Sequence, residues 1–190
     1  QSLEAWFAHI PGLVVVAPAT PADNHGLLLA ALASGDPVVY MEHKELWGTP
    51  GAVTSGDVVP LGKARVARAG SDLTIVSWSR QMQACEQAAE QLAAQGVQAE
   101  LIDLRTIWPW DKDAVLQSVA KTGRLLVVHE AIRVAGFGAE IAATVAEETG
   151  AKVARLGAPR IPVGYAPTLE AEARVSAAQI VDAVQKLVAP

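Results

Sequence analysis

Cysteine is all but missing from this 190-residue chain: the single Cys85 cannot close an internal disulfide, and no Cys/His spacing resembles a zinc site. An excess of positive charge is missing too. With 15 Lys and Arg against 20 Asp and Glu, a formal net charge of -5 and no basic patch, the chain lacks the clustered cations that nucleic-acid phosphates call for. No apolar run approaches the roughly 18 residues of a membrane span, so neither nucleic acid nor membrane is expected as a partner. Aromatic residues make up only 5% of a chain that is 51% hydrophobic, so its apolar content is aliphatic. A disordered chain would be poorer in aliphatics and more charged. A chain of this length buries roughly 70% of its unfolded surface, enough for one good core or two small ones. It opens at Gln1, without an initiator Met or a signal or transit pattern, and runs almost at once into an amphipathic stretch over residues 3–10. The expectation is a piece of a longer polypeptide.

What is there is an alternation of short aliphatic runs and helix-period segments. Runs at 13–17, 38–41, 73–77, 99–104, 124–129 and 152–156 are nearly continuous in Val, Leu and Ile, which suits strands buried on both faces of a parallel sheet. Thr20-Pro21 with Asp23 predicts a helix start, Ser176 with Gln179 a capping box, and Gly96, Gly123 and Gly150 predict left-handed helix ends. Met82, Cys85, Ala89 and Leu92, and likewise Ala177, Ile180, Val184 and Leu187, form core-facing stripes. The fold class expected is α/β with right-handed crossovers. Gly, Pro and small polar residues without periodicity over 46–60 predict a linker. The 45 residues before it are short for an independent domain, and the roughly 130 after it are an ordinary one.

Chemistry is thinner. His9 lies on the opening helix, His25 in the first turn of the next, His43 just after a strand and His129 at the end of one. An imidazole can serve as acid or base, but no nucleophile elbow accompanies any of them. Cys85 reads as packing on an apolar helix face. Glu42-His43-Lys44 ends a strand, where open α/β sheets bind ligands, or else leads as a solvated strand end into the linker. His129-Glu130 ends another, followed by Gly136-Phe137-Gly138-Ala139-Glu140; this is an anion-binding loop or a tight strand-to-helix turn. Trp108-Pro109-Trp110 is a packing anchor or an interface contact, and 158–167, with three prolines, is an extended segment draped over a surface.

The motifs carry more than these patterns do. Residues 1–13, Gln-Ser-Leu-Glu-Ala-Trp-Phe-Ala-His-Ile-Pro-Gly-Leu, then Gly26-Leu27-Leu28-Leu29, Asp36-Pro37-Val38-Val39, Glu42-His43-Lys44, Pro60-Leu61-Gly62-Lys63-Ala64, residues 97–106, Lys121-Thr122-Gly123-Arg124-Leu125, and His129-Glu130-Ala131 with Gly136-Phe137-Gly138-Ala139-Glu140-Ile141 follow one another in one order. Together they resemble the beta subunit of the thiamine-diphosphate-dependent decarboxylating component of 2-oxo acid dehydrogenase complexes. The resemblance implies the last part of a pyrimidine-binding domain over residues 1–45, a linker over 46–60, and a transketolase C-terminal-type domain, a mostly parallel sheet covered by helices, over 61–190.

It also implies an enzyme subunit that oxidatively decarboxylates pyruvate or a related 2-oxo acid, or acts on acetoin, and passes the acyl group to a lipoyl arm. The implied partners are an alpha subunit, a second beta subunit and a dihydrolipoyl acyltransferase core. Thiamine diphosphate would be shared with the alpha subunit, which would hold its magnesium. The family's catalytic histidine and the glutamate that activates the cofactor fall ahead of Gln1, so no catalytic or cofactor-binding residue is expected in this chain. A potassium ion would be held by backbone carbonyls at Ala31, Leu32, Ser34 and Asp36. The family's usual Asp-Thr-Pro near the last extended segment is here Arg160-Ile161-Pro162, with Gly164 where proline is common. Two other readings stand beside this one: a non-catalytic assembly module, and an anion- or nucleotide-binding flavodoxin-like domain using the Gly136–Gly138 loop. The expected location is the cytoplasm of a bacterium or the mitochondrial matrix of a eukaryote.

Overall fold

Alternation along the strands sets the architecture. In the computed structural model, which describes residues 2–189, Ile75, Leu101, Leu126 and Val128 face one side of a sheet, and Val76, Ile102, Leu125 and Val127 the other. That sheet has five strands in the order β3 (Arg65–Arg68), β5 (Ala99–Asp103), β4 (Leu73–Ser77), β7 (Arg124–Ile132) and β8 (Lys152–Ala158). Strands β4, β5, β7 and β8 are parallel, and β3 is an antiparallel edge. Helices α3 (Gln81–Ala94) and α7 (Ala177–Val188) cover the first face, packing Met82, Cys85, Leu92, Ile180 and Val184 onto it. Helices α4 (Lys112–Thr122) and α5 (Gly138–Thr149) cover the second with Val115, Val119, Ile141 and Val145. All five residues of β4 are buried, as a strand covered on both sides requires.

A smaller sheet is built from the other end of the chain. Strand β1 (Val14–Val16) lies parallel to β2 (Val38–Tyr40), linked by helix α2 (Pro21–Ala33), with the short α1 (Glu4–Ala8) ahead of it. Its third strand is β6 (Thr106–Trp108), which leaves the large sheet after β5 and pairs antiparallel with β1. The second-face core therefore runs without a break from Val15 and Ala17 through Ile107 to Val127.

Local signals are met where the chemistry is local. The Thr20 hydroxyl accepts from Asp23 N–H at 3.1 Å with Pro21 opening α2, the Ser176–Gln179 capping box is complete, and Gly96, Gly123 and Gly150 all have positive φ. Two strands are not announced by the pattern. β3 is only Arg-Val-Ala-Arg, and β6 lies where a direct strand-to-helix junction is expected, around Trp108. β7 continues to Ile132 and β8 to Ala158, because their parallel pairing resumes there after a shift in register. Of the draped segment, Ala158 ends β8, residues 159–166 are irregular, and Pro167 opens α6 (Pro167–Glu172) at a position where a missing N–H costs nothing. Residues 47–60 hold no helix or strand, yet Val59 N–H donates to Gly26 O at 3.1 Å, and a Cβ on Gly26 would lie 2.6 Å from the Val59 side chain. No helix among the described residues is long and apolar enough to cross a membrane.

Candidate functional site

The strand order places the switch point of the large sheet between β4 and β7, since the chain winds one way from β4 to β5 and the other way from β7 to β8. Open α/β sheets bind ligands in the crevice beyond that point. Here the crevice is plugged from within. Trp78, just past β4, stacks on His129 near the end of β7 with ring centroids 5.4 Å apart, and Phe137 meets Trp78 edge-on. His129 is fully buried. Its Nδ1–H donates to the Ala131 carbonyl at 2.9 Å, which leaves Nε2 as a bare acceptor without a partner among the described residues. Burial pushes its pKa down to about 4, so the ring is neutral.

The glycines of the 136–138 loop have their missing side chains replaced by this ring. A Cβ on Gly136, Gly138 or Gly157 would each lie 2.7 Å from an imidazole atom. Of the two readings of the loop, the tight strand-to-helix turn is the one the structure adopts. The backbone approaches a histidine where a dinucleotide site would admit a phosphate.

From the other side α1 closes the plug. Trp78 Nε1–H donates to Glu4 at 3.3 Å, and burial raises the pKa of that carboxyl. Outside it, His43 reaches Glu130. Glu45 N–H donates to His43 Nδ1 at 3.2 Å, so His43 Nε2–H donates to Glu130 Oε1, also at 3.2 Å. Glu130 Oε2 is as near, at 3.1 Å, but poorly aligned. Burial opposes ionisation of Glu130, and His43, helped by Arg80 and Arg174, outweighs it and lowers the pKa. The two strand-end groups that the sequence keeps separate, Glu42-His43-Lys44 and His129-Glu130, thus meet. Farther out, Glu45 joins Arg80 and Arg174, and Arg174 also pairs with Glu170; hydrogen bonding from Arg174 chiefly holds Glu45 down at about 2.

A second seam lies around β6. Arg105, left-handed at φ 59, donates from Nη1 to Asp23 at 2.9 Å and from Nε and Nη2 to the carbonyls of Lys63 and Ala64, both at 3.1 Å. Arg65 binds Asp103 at 3.0 Å and approaches Asp23 at 3.5 Å. Burial pushes Asp103 up to about 7 against the pull of Arg65. Neither the Asp23–Arg105 clasp nor the Glu4–Trp78 contact is visible in the sequence, where partners lie 82 and 74 residues apart.

The remaining predicted positions stay apart from both seams. His9 is exposed, and His25 Nε2 is buried without a partner among the described residues. Cys85 is buried in the first-face core, which pushes its thiol up to about 12. Ala31, Leu32, Ser34 and Asp36 sit at the end of α2: Ala31 O accepts from Ser34 N–H at 3.2 Å, and Ser34 Oγ from Asp36 N–H at 3.1 Å. The last turn carries no basic side chain, so its carbonyls keep the partial negative charge of a helix end. Among the described residues no three His, Cys, Asp or Glu gather as a metal site, and the one Gly-rich helix start is filled by His129. These side chains do not make a diphosphate site, and no step through a thiamine cofactor is assigned to them.

A 2-1-3-4 wound sheet with a plugged switch point, whose chain lends a strand, β6, to the end of a second α/β unit, defines a class. The family model for the transketolase C-terminal domain matches residues 62–180, and that for the transketolase pyrimidine-binding domain matches residues 1–49. The chain belongs to the transketolase C-terminal-domain family, in the branch of the beta subunits of pyruvate, 2-oxo acid and acetoin dehydrogenases.

It is 43% identical over 191 residues to the acetoin:2,6-dichlorophenolindophenol oxidoreductase subunit beta of Cupriavidus necator, with 98% of this chain and 56% of that protein aligned. It is 42% identical to the pyruvate dehydrogenase E1 component subunit beta of Rhizobium meliloti, over 97% of this chain and 42% of that one. With the 2-oxoisovalerate dehydrogenase subunit beta of Bacillus subtilis it shares 40% identity, over 98% of this chain and 59% of that protein. The chain thus spans about half the length of these relatives. A solved structure described as a split gene transketolase, inactive beta4 tetramer, superposes at a TM-score of 0.86 with 24% identity, over 97% of this chain and 61% of that one, a likeness of fold.

Proposed function

We propose that this chain forms the carboxyl-terminal portion of the beta subunit of a thiamine-diphosphate-dependent 2-oxo acid dehydrogenase component. The whole enzyme would decarboxylate pyruvate or a related 2-oxo acid oxidatively and hand the acyl group to a lipoyl arm, with acetoin the alternative substrate. The observation that carries this reading is the continuous likeness, over 97–98% of the chain, to beta subunits acting on those substrate classes by name. In it, residues 1–45 end the pyrimidine-binding domain, 46–60 link, and 61–190 form the C-terminal domain. The work of these residues is assembly and support: the two seams hold the end of one domain on the other, so that groups borne farther up the chain are fixed against the alpha subunit. Partners are that alpha subunit, a second beta subunit and the acyltransferase core. Magnesium and the diphosphate belong with the alpha subunit. Potassium is assigned to the carbonyls of Ala31, Leu32, Ser34 and Asp36, a reading supported by the uncompensated end of α2. The compartment would be bacterial cytoplasm or mitochondrial matrix.

The test is decarboxylation by the full-length beta chain assembled with its alpha subunit and thiamine diphosphate, offered pyruvate, 2-oxoisovalerate and acetoin in turn. Turnover of one of the three is expected. Absence of thiamine-dependent turnover with all three would overturn the reading. The bare 190-residue chain, mixed with alpha subunit in the same assay, is expected to be inactive as an assembly module; turnover matching the full-length chain would sink that part.

A further inference from the structure

A cavity of about 570 Å³ opens where α1, the end of β7 and the loop after β8 meet. Its wall is apolar: Leu3, Trp6, Ile132, Ile161 and Val163 all line it, and Trp6 remains 71% exposed. The volume lies within the range of small-molecule sites, which are mostly apolar with a few polar groups to orient the ligand. Four charged side chains reach it: Glu130, Arg160, Glu170 and Arg174. Three are already matched, Glu130 by His43 and Arg174 by both Glu45 and Glu170. Arg160 pairs with no carboxylate among the described residues. Arg160 is therefore the one charged side chain lining the cavity that no other group among the described residues engages, and its planar fork fits a carboxylate at two points.

We propose that this cavity binds an aliphatic monocarboxylate, with its carboxylate on Arg160 and its chain along Trp6, Ile132, Ile161 and Val163. The proposal goes beyond the catalytic reading and is independent of it, because binding is measured without turnover. Calorimetric titration of the full-length protein in its native assembly with butyrate, hexanoate and octanoate is the test. Affinity is expected to rise about fourfold with each methylene added, until the wall is covered. Arg160→Ala should weaken hexanoate binding about tenfold, Arg160→Lys should restore part of it, and hexylamine should not bind. Arg160 is exposed in a loop, so its substitution leaves the fold intact. No heat with any of the acids, affinity independent of chain length, hexanoate binding unchanged by Arg160→Ala, or hexylamine binding equal to hexanoate would each overturn the proposal.

Discussion

The two seams do the same work with opposite chemistry. Around Arg105 the contact is ionic: each nitrogen of the Arg105 guanidinium has an acceptor, Arg65 Nε has none among the described residues, and the two buried carboxylates, Asp23 and Asp103, face these two arginines. Around His129 the contact is aromatic and neutral, a ring stacked on Trp78, enclosed by glycines and left with one bare nitrogen. A buried ionic seam fails by losing a partner. A close-packed neutral seam fails by gaining an atom or a charge. Each failure can be produced separately.

The largest effect is expected from Arg105→Ala. It strips Asp23, only 6% exposed at its side chain, of its shortest ion pair, and frees the carbonyls of Lys63 and Ala64. Breaking a buried pair costs about 3–5 kcal/mol, and the nearby Arg65 should keep the loss toward about 3. Urea unfolding of the full-length protein measures it; a loss below about 1 kcal/mol would mean that the clasp is solvent-screened.

Next comes pH, where the seams pull in opposite directions. His129 has its pKa lowered from 6.5 to about 4, so between those values the unfolded chain takes up a proton that the native state refuses. Its contribution is complete above pH 6.5 and fades as pH falls toward about 4, by about 3 kcal/mol in all. Asp103 is raised from 3.8 to about 7, so its contribution is complete below 3.8 and is lost as pH rises through about 7. Over the shared window the two slopes cancel. Asp103→Asn should expose a stability that rises by about 1.4 kcal/mol per pH unit, and His129→Asn one that falls by as much. Parallel profiles for the two variants would show that neither group is shifted in the folded protein.

Smaller still is Gly138→Ala, whose Cβ would lie 2.7 Å from His129 Cδ2 and Nε2. Overpacking of this kind costs about 1–3 kcal/mol. Because the clash is with the ring, the cost should shrink in a His129→Ala background. A penalty unchanged in that background would place its origin in the helix start and remove the imidazole from the account.

Legibility in the sequence follows range. Thr20, Ser176 and the three helix-ending glycines act within four residues of themselves, and their caps can be read directly from the chain. Buried strands 73–77 and 99–103 declare themselves because both faces are covered. β3 and β6 do not, being short antiparallel pieces whose strand character comes from β5 and β1 alone. The same holds for the site. His129 and its glycines are visible as a motif but ambiguous, since a glycine that admits a phosphate and one that admits an imidazole look alike in one dimension. Trp78, Glu4, Asp23 and Arg105 carry no local signal, for their roles exist only once chain segments more than 70 residues apart are side by side.

The smallest effect is expected at the rim outside the aromatic seam, despite the number of charges there. Glu45 binds both Arg80 and Arg174, and its pKa falls to about 2. A carboxyl held that low would be a strong tie from the 3-10 turn at Lys44–Leu46 to Arg80, ahead of α3, and to Arg174, just past α6. However, the Glu45 side chain is 44% exposed, so water and salt screen the pair. Glu45→Gln should therefore cost under about 1 kcal/mol at physiological ionic strength and still less at high salt. A larger loss that survives high salt would mean that water is excluded from the rim, as it is from the Arg105 clasp, and that the contrast between an ionic seam and a neutral one has been drawn in the wrong place.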